Sequence, residues 1–302
     1  MNRNHVALFH AVAESGSISG GAERLRISQP AVSSQLAELE AALGVRLFDR
    51  LPRGVRLTEA GLLLSQYAHR MAALENDAGH VMAEFLGLKR GRLAIGASTT
   101  IGSYLIPEIL AAFHEEYPDI ELRLEIANTE GIQRILGDGD IELALTEGLI
   151  ENESLDSEVF HEDELVPIVR ARHPLIRTGA TLRQLHEEPW ILREPGSGTR
   201  AVIERHLKRF HLTVKPVISI AGTEAIKRAV MAGMGIAVVS RLSVESELRA
   251  KTLAVLPIPE LVIPRPLHLQ TRKGHHPGPA AGAFINRLNS DLGKRSEMSG
   301  TA

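Results

Sequence analysis

Apolar residues in the first sixty positions recur at helical spacing in three runs. Val6, Leu8, Phe9 and Ala13 share one face of a helix over residues 4–13. Ser17-Ile18-Ser19 caps a short second helix that ends near Leu25, and Arg26-Ile27 links it tightly to a third. In that third helix Val32, Leu36, Leu39 and Leu43 fall at 4-3-4 spacing and predict a core-facing stripe. Ser28 is a good N-cap, and Pro30 sits in the first turn, where its missing N–H costs nothing. Leu47-Phe48 and Val55-Arg56-Leu57 then read as two short strands around residues 50–54. From Ala60 the apolar positions run Leu64, Tyr67, Met71, Leu74, Ala78, Val81, Phe85 and Leu88. Steps of four and three alternate without a break. That 3.5-residue repeat predicts a coiled-coil seam on a helix roughly 43 Å long. Lys89-Arg90-Gly91-Arg92 breaks the pattern.

Beyond residue 91 short apolar strands alternate with amphipathic helices. Strands are expected at 93–97, 121–127, 141–145, 164–170, 190–193, 217–220, 235–239 and 266–271. Helices are expected at 101–117, 129–136, 199–210, 224–232 and 280–288. Apolar strands between helices indicate α/β lobes with helix-covered sheets. The expected division is a head over 1–58, a linker helix over 59–90 and an α/β domain over 91–290. Its first lobe takes 91–163 and 267–290, its second 164–266. Residues 291–302 are polar and expected to be disordered.

The chemistry of the head lies on the outer face of the third helix. Ser28, Gln29, Pro30, Ser33, Ser34 and Gln35 offer short or neutral hydrogen-bonding groups suited to base edges in a major groove. Two helices joined by a short turn, the second with such a face, form a helix-turn-helix. Arg50, Arg53 and Arg56 in the following hairpin are spaced to meet phosphates or a minor groove. Residues 1–58 hold seven Arg and no Lys against five acids, in a chain whose net charge is −3. The basic footprint is local, so one copy would bind DNA poorly and at least a dimer is expected.

Residues 4–61 resemble the winged helix-turn-helix of LysR-type transcriptional regulators. The resemblance rests on Ala22, Leu25, Ser28-Gln29-Pro30-Ala31-Val32-Ser33, Gln35, Leu39-Glu40, Leu43-Gly44, Leu47-Phe48, Arg50 and Leu57-Thr58-Glu59-Ala60-Gly61. Gly20-Gly21 departs from the family pattern, since two glycines cost a helix about 1 kcal/mol each relative to alanine. The resemblance implies an α+β winged head, a linker helix that pairs two heads, and a two-lobed α/β effector domain similar to periplasmic binding proteins. It implies double-stranded DNA as partner, a homodimer assembled into a homotetramer, and RNA polymerase as a further partner open to such a regulator.

Four polar clusters fall between strands and helices, where ligands bind in α/β folds. They are Ser98-Thr99-Thr100, Asn128-Thr129, the stretch from Arg193 through Ser197 and Thr199 to Arg200, and Gly222-Thr223. Hydroxyls and backbone N–H groups at helix starts favour an anion. Glu147 near the expected hinge would repel an anion or bind a ligand amine, and the residues leave both readings open. Residues 101–107 together with 193–200 resemble a subgroup that regulates sulfur assimilation and carbon-fixation genes. That resemblance implies small oxyanions or phosphorylated sugars as effectors, and the expected ligand is a small anionic metabolite: a sulfur oxyanion, or a phosphorylated or carboxylate metabolite.

Other classes fit less well. There is no cysteine, so no disulfide framework or thiol nucleophile. His114-Glu115-Glu116 and His275-His276 match no zinc spacing, and Gly196-Ser197-Gly198 is no nucleophile elbow. No metal, cofactor or catalytic residue is expected. No apolar run approaches the ~20 residues of a membrane span, and no secretory h-region opens the chain. The cytoplasm is the expected compartment. A solute-binding protein or an enzyme of the same fold is the alternative, disfavoured by the fused head.

Overall fold

The computed structural model describes residues 1–84, 91–148, 152–179, 181–185 and 187–299. The chain divides into two units, Met1–Met82 and Ala83–Ala302. The first begins with three helices, α1 (Arg3–Ser15), α2 (Ile18–Leu25) and α3 (Gln29–Leu43). Asn2, Ser17 and Ser28 cap them by accepting hydrogen bonds from the N–H groups of His5, Gly20 and Ala31. Val6, Phe9, Val12, Val32, Leu36 and Leu39 form the core between them. Leu43 does not join it. The helix ends at that residue, Gly44 turns the chain in the left-handed region (φ 70°), and Leu43 stays 37% exposed. Leu47 and Phe48 enter the core instead. Glu40 fixes this return by accepting hydrogen bonds from the Leu47 and Phe48 N–H groups at 2.7 and 3.2 Å.

The weak helix formers of α2 have a packing reason. A Cβ on Gly21 would stand 2.6 Å from the Val12 Cγ2 and 3.0 Å from its Cα. Glycine therefore lets α1 and α2 approach closely, which outweighs its poor propensity.

Strands β1 (Phe48–Arg50) and β2 (Val55–Leu57) pair antiparallel, with Asp49 opposite Arg56. Helix α4 (Glu59–Glu84) follows. Ala68 is buried and Leu64 packs on the head core, while Tyr67, Met71 and Leu74 stay 60%, 41% and 67% exposed. The seam thus divides: its first position seals the head, and the next three lie open. The side chains of Val81, Phe85 and Leu88, and the expected break at Lys89-Arg90, lie outside the described residues.

In the second unit, β3 (Gly91–Ser98) leads into α5 (Thr99–Tyr104) and α6 (Ile106–Glu116). The sequence pattern predicts one helix over 101–117, and the structure has two. Pro107 lacks an N–H and crowds the preceding turn, so the helix breaks at Leu105 and restarts. Then come β4 (Ile120–Ala127), α7 (Thr129–Asp138), β5 (Leu143–Glu147) and β6 (Leu155–Arg170). Two single turns follow, α8 (Leu175–Thr178) and α9 (Leu182–Leu185). Next are β7 (Trp190–Arg193), α10 (Gly198–Arg209), β8 (Pro216–Ile220), α11 (Thr223–Met231) and β9 (Ala237–Ser240). The chain closes with α12 (Glu245–Arg249), β10 (Leu253–Val255), β11 (Ile263–Arg272) and α13 (Pro279–Ser299).

Strands β10-β6-β11-β5-β3-β4 form one sheet in that order, with β9 on β6; β7 and β8 pair separately. The expected lobe boundaries fall inside continuous strands. Both β6 and β11 run through the junction, pair antiparallel along ten registered positions, and slip register between Leu267 and His268. The hinge is this two-stranded ribbon with its bulge, a place where a sheet bends readily. One lobe packs around Leu93, Ile95, Phe113, Phe284 and Leu288, the other around Trp190, Leu192, Ile203 and Ile236. The tail expected to be disordered from 291 is helical to Ser299, because Leu292 adds a further apolar turn to the first lobe's core. Residues 300–302 are not described.

Candidate functional site

On the head, α3 carries its polar residues outward. Gln29 and Ser34 are exposed, while Ser33 and Gln35 are half-buried. Ser28 spends its hydroxyl on capping, and Pro30 is fixed in the first turn. In the wing, Arg50 and Arg53 are exposed, but Arg56 lies 3.3 Å from Asp49 across the hairpin. Arg56 is therefore partly engaged before it meets any phosphate.

In the second unit the clusters come together from distant segments. The β3–α5, β4–α7 and β7–α10 junctions place the Ser98, Thr129 and Thr199 hydroxyls and the Gly198 N–H at one inter-lobe face. Glu147, at the end of β5, is only 2% exposed and is the hub. Ser98 donates to one carboxylate oxygen, and the Thr199 hydroxyl reaches the other at 3.4 Å. The Arg265 Nη1 stands 3.6 Å from Glu147 and donates to Thr199 Oγ1 at 2.9 Å. The same guanidinium grips Asp163, its register partner across the hinge, at 2.7 and 2.8 Å. Ser240 donates to the other Asp163 oxygen at 2.9 Å. Glu147, Asp163 and Arg265 thus make a buried charged triad that spans the lobes.

Backbone contacts tie the same face. Thr129 Oγ1 donates to the Glu147 carbonyl at 3.0 Å and accepts from the Gly198 N–H at 3.2 Å. A Cβ on Gly198 would stand 1.9 Å from the Glu147 carbonyl oxygen, so only glycine allows this approach. Asn128 caps α7 and donates to the Pro195 carbonyl at 3.4 Å.

Arg193 is 3% exposed. Its Nε and Nη2 hold Glu194 at 2.7 and 2.8 Å, and Nη2 approaches Thr99 Oγ1 at 3.4 Å. Burial alone would raise the Glu194 pKa, but the hydrogen bonds and charge of Arg193 hold it below the usual carboxylate range. The Arg193 Nη1 and the Ser197 hydroxyl are buried without a hydrogen-bond partner. Ser197 also lines a cavity of ≈ 560 Å³ with Thr129, Gly196 and Arg200. Thr100 and Thr223 are buried at helix starts but do not enter the hydrogen-bonded network.

Several participants escaped the sequence reading. Arg265 and Asp163 lie on strands and meet Glu147 only after β11 returns to the sheet; the signal was a lone arginine between Pro264 and Pro266 in an apolar strand. A second inter-lobe tie was equally hidden. Tyr104 donates to Glu224, and Lys227 contacts Glu224, Glu247 and the Ser243 carbonyl at 2.6–2.8 Å. Burial, then the Glu224 hydrogen bond, pushes the Tyr104 phenol up to about 12. Burial opposes both charges of the neighbouring pair, yet their mutual hydrogen bonds lower Glu224 and raise Lys227. Among the described residues no helix is long and apolar enough to cross a membrane.

Comparison with known proteins agrees with this layout. Residues 3–62 match the family model "Bacterial regulatory helix-turn-helix protein, lysR family", and residues 86–293 match "LysR substrate binding domain". A RuBisCO operon transcriptional regulator of Allochromatium vinosum is 35% identical over 296 residues, covering 96% of this chain and 98% of the relative. The regulator CbbR of Rhodospirillum rubrum is 34% identical, covering 94% of both chains. Among solved structures, the regulatory domain of CcmR from Synechocystis in complex with 2-PG superposes with a TM-score of 0.63 at 31% identity, covering 67% of this chain and 98% of that one. A full-length OxyR variant of Pseudomonas aeruginosa shares the fold over 97% of this chain and 94% of its own, with a TM-score of 0.76 at 21% identity. A winged head built around α3 and a two-lobed domain, each matching its family model, with relatives 34–35% identical over nearly the whole chain, place the protein in the LysR family of transcriptional regulators.

Proposed function

We propose that the inter-lobe face binds a small anionic metabolite, and that its occupancy alters how the dimeric regulator engages its operator. The observation that carries this reading is the buried Arg193 Nη1 at the end of β7 and the Ser197 hydroxyl at the N-cap of α10, both without a hydrogen-bond partner. An unmade hydrogen bond from a buried charged group costs about 1–3 kcal/mol or more, so an oxyanion accepting from both gains that energy back. Glu147 supports the anion rather than the amine. Its two oxygens are already taken by Ser98, Thr199 and Arg265, so it ties the lobes and has little left for a ligand cation. The relative solved with 2-PG points to phosphorylated carboxylates, with sulfur oxyanions the competing class. The exposed run of Tyr67, Met71 and Leu74 supports pairing through α4 in a homodimer, the unit from which a homotetramer would assemble.

A ligand shifts the lobes only by its differential affinity for two arrangements. Calorimetry with 2-phosphoglycolate, sulfate and thiosulfate tests the site. One of these should bind the wild type, and Arg193→Gln should weaken it about tenfold or more, the value of one charge-assisted hydrogen bond. Equal affinity for the variant would remove Arg193 from the site.

A further inference from the structure

One group of metal-ligating side chains lies outside both surfaces described above. His10 and Glu14 are one turn apart on α1, and His69 faces them from α4. Their ligand atoms all lie within 4.8 Å of one another. His10 Nε2 is 3.6 Å from Glu14 Oε1, and the two imidazole rings meet edge to face at 4.5 Å. Glu14 is exposed and the two histidines are half-buried, and a groove of ≈ 570 Å³ opens onto His10 and Glu14.

We propose that His10, Glu14 and His69 form a binding site for a divalent transition metal, zinc being the type case. Two imidazoles and one carboxylate suit zinc and its neighbours, and not magnesium or calcium, which take oxygen ligands. A tetrahedral ion with bonds near 2.1 Å sets its ligands about 3.4 Å apart. The His10–Glu14 pair, at 3.6 Å, is already close to that separation, and the His69 nitrogen, within 4.8 Å of both, has at most about 1.4 Å to close. Three protein ligands leave one position for water or a further donor. The bound ion would cross-link the first helix of the head to α4. Sequence spacing could not show this, because His69 reaches the pair only once α4 packs on the head. Arg24 competes for the site by forming an ion pair with the other Glu14 oxygen. A metal must share or displace that contact.

The test uses the full-length protein stripped with a chelator, then titrated with Zn²⁺ and Co²⁺ by calorimetry and visible absorption. The expected result is one ion per chain, with the d–d bands of nitrogen and oxygen ligation. A melting temperature raised by saturating Zn²⁺ is also expected. His69→Gln and Glu14→Gln should each weaken binding about tenfold or more, while Arg24→Ala should strengthen it by freeing Glu14. Glu14 is exposed, so its variant reports even where a histidine substitution disturbs packing. Absence of saturable one-to-one binding would overturn the proposal. So would unchanged affinity in both His69→Gln and Glu14→Gln, which would assign the ion to other histidines such as His275-His276.

Discussion

Gly198→Ala perturbs the lobe junction with a single methyl group. The added Cβ would stand 1.9 Å from the Glu147 carbonyl oxygen and 2.6 Å from Thr129 Oγ1. A carbon–oxygen contact needs about 3.3 Å, so the two segments must separate by about 1.4 Å. Gly198 and Glu147 sit in different lobes connected through β6 and β11, and rotation about that ribbon is the easiest relief. Opening breaks the Gly198-to-Thr129 and Thr199-to-Glu147 hydrogen bonds. Overpacking of this kind costs about 1–3 kcal/mol, which shifts the closed-to-open ratio roughly 5- to 150-fold. Helix propensity acts the other way, since alanine is favoured over glycine by up to about 1 kcal/mol in a helix. Amide hydrogen exchange in segments 143–148 and 196–203, read beside a thermal melt, separates the two effects. Faster exchange in both segments is expected. Unchanged exchange with equal or higher stability would refute the closed junction.

Other substitutions probe the remaining contacts. Arg50→Ala and Arg53→Ala should each flatten the salt dependence of DNA binding by about 0.9 per lost phosphate contact, whereas Arg56→Ala should do less because Asp49 already engages it; equal slopes in a salt titration of all three would contradict this. Arg265→Gln leaves Glu147 and Asp163 buried without a cation and should destabilise the second unit by about 3–5 kcal/mol in urea denaturation, and a loss under about 1 kcal/mol would show the triad to be dispensable. Burial holds the His268 pKa below its ordinary value, so the unfolded chain takes the proton first and stability falls as pH drops through about 6.5; His268→Gln should shallow that fall, and an identical pH profile would exclude the group.

The head was legible because its signals are local. Caps, periodic apolar positions and short links act over a few residues, and Ser28, Pro30 and Leu39-Glu40 each do locally what their types suggest. Its exceptions were tertiary. Leu43 lost its place to Leu47 once Gly44 reversed the chain, and Gly21 proved to be a close-packing residue. The cleft was half legible. Ser98, Thr129, Arg193 and Thr199 advertised themselves at strand–helix junctions, and these do converge. Asp163 and Lys227 gave no such sign and Arg265 only its isolation between two prolines, because a charge on a strand or mid-helix reads as exposed until the sheet order buries it. The lobe crossings near 163 and 266 were legible from the order of elements, but not their form: that the two crossing segments pair as one antiparallel ribbon with a bulge depends on which strands become neighbours, which a pattern along one strand does not state.

The coupling of cleft to operator is tested most directly by fluorescence anisotropy with a labelled fragment from the protein's own promoter region. Affinity is measured with and without saturating 2-phosphoglycolate or the anion that binds best, in wild type and in Arg193→Gln. The wild-type curve should move with the anion while the variant curve stays put. Curves that move alike in both proteins, or in neither despite calorimetric binding, would contradict a regulator that reads an anion through Arg193.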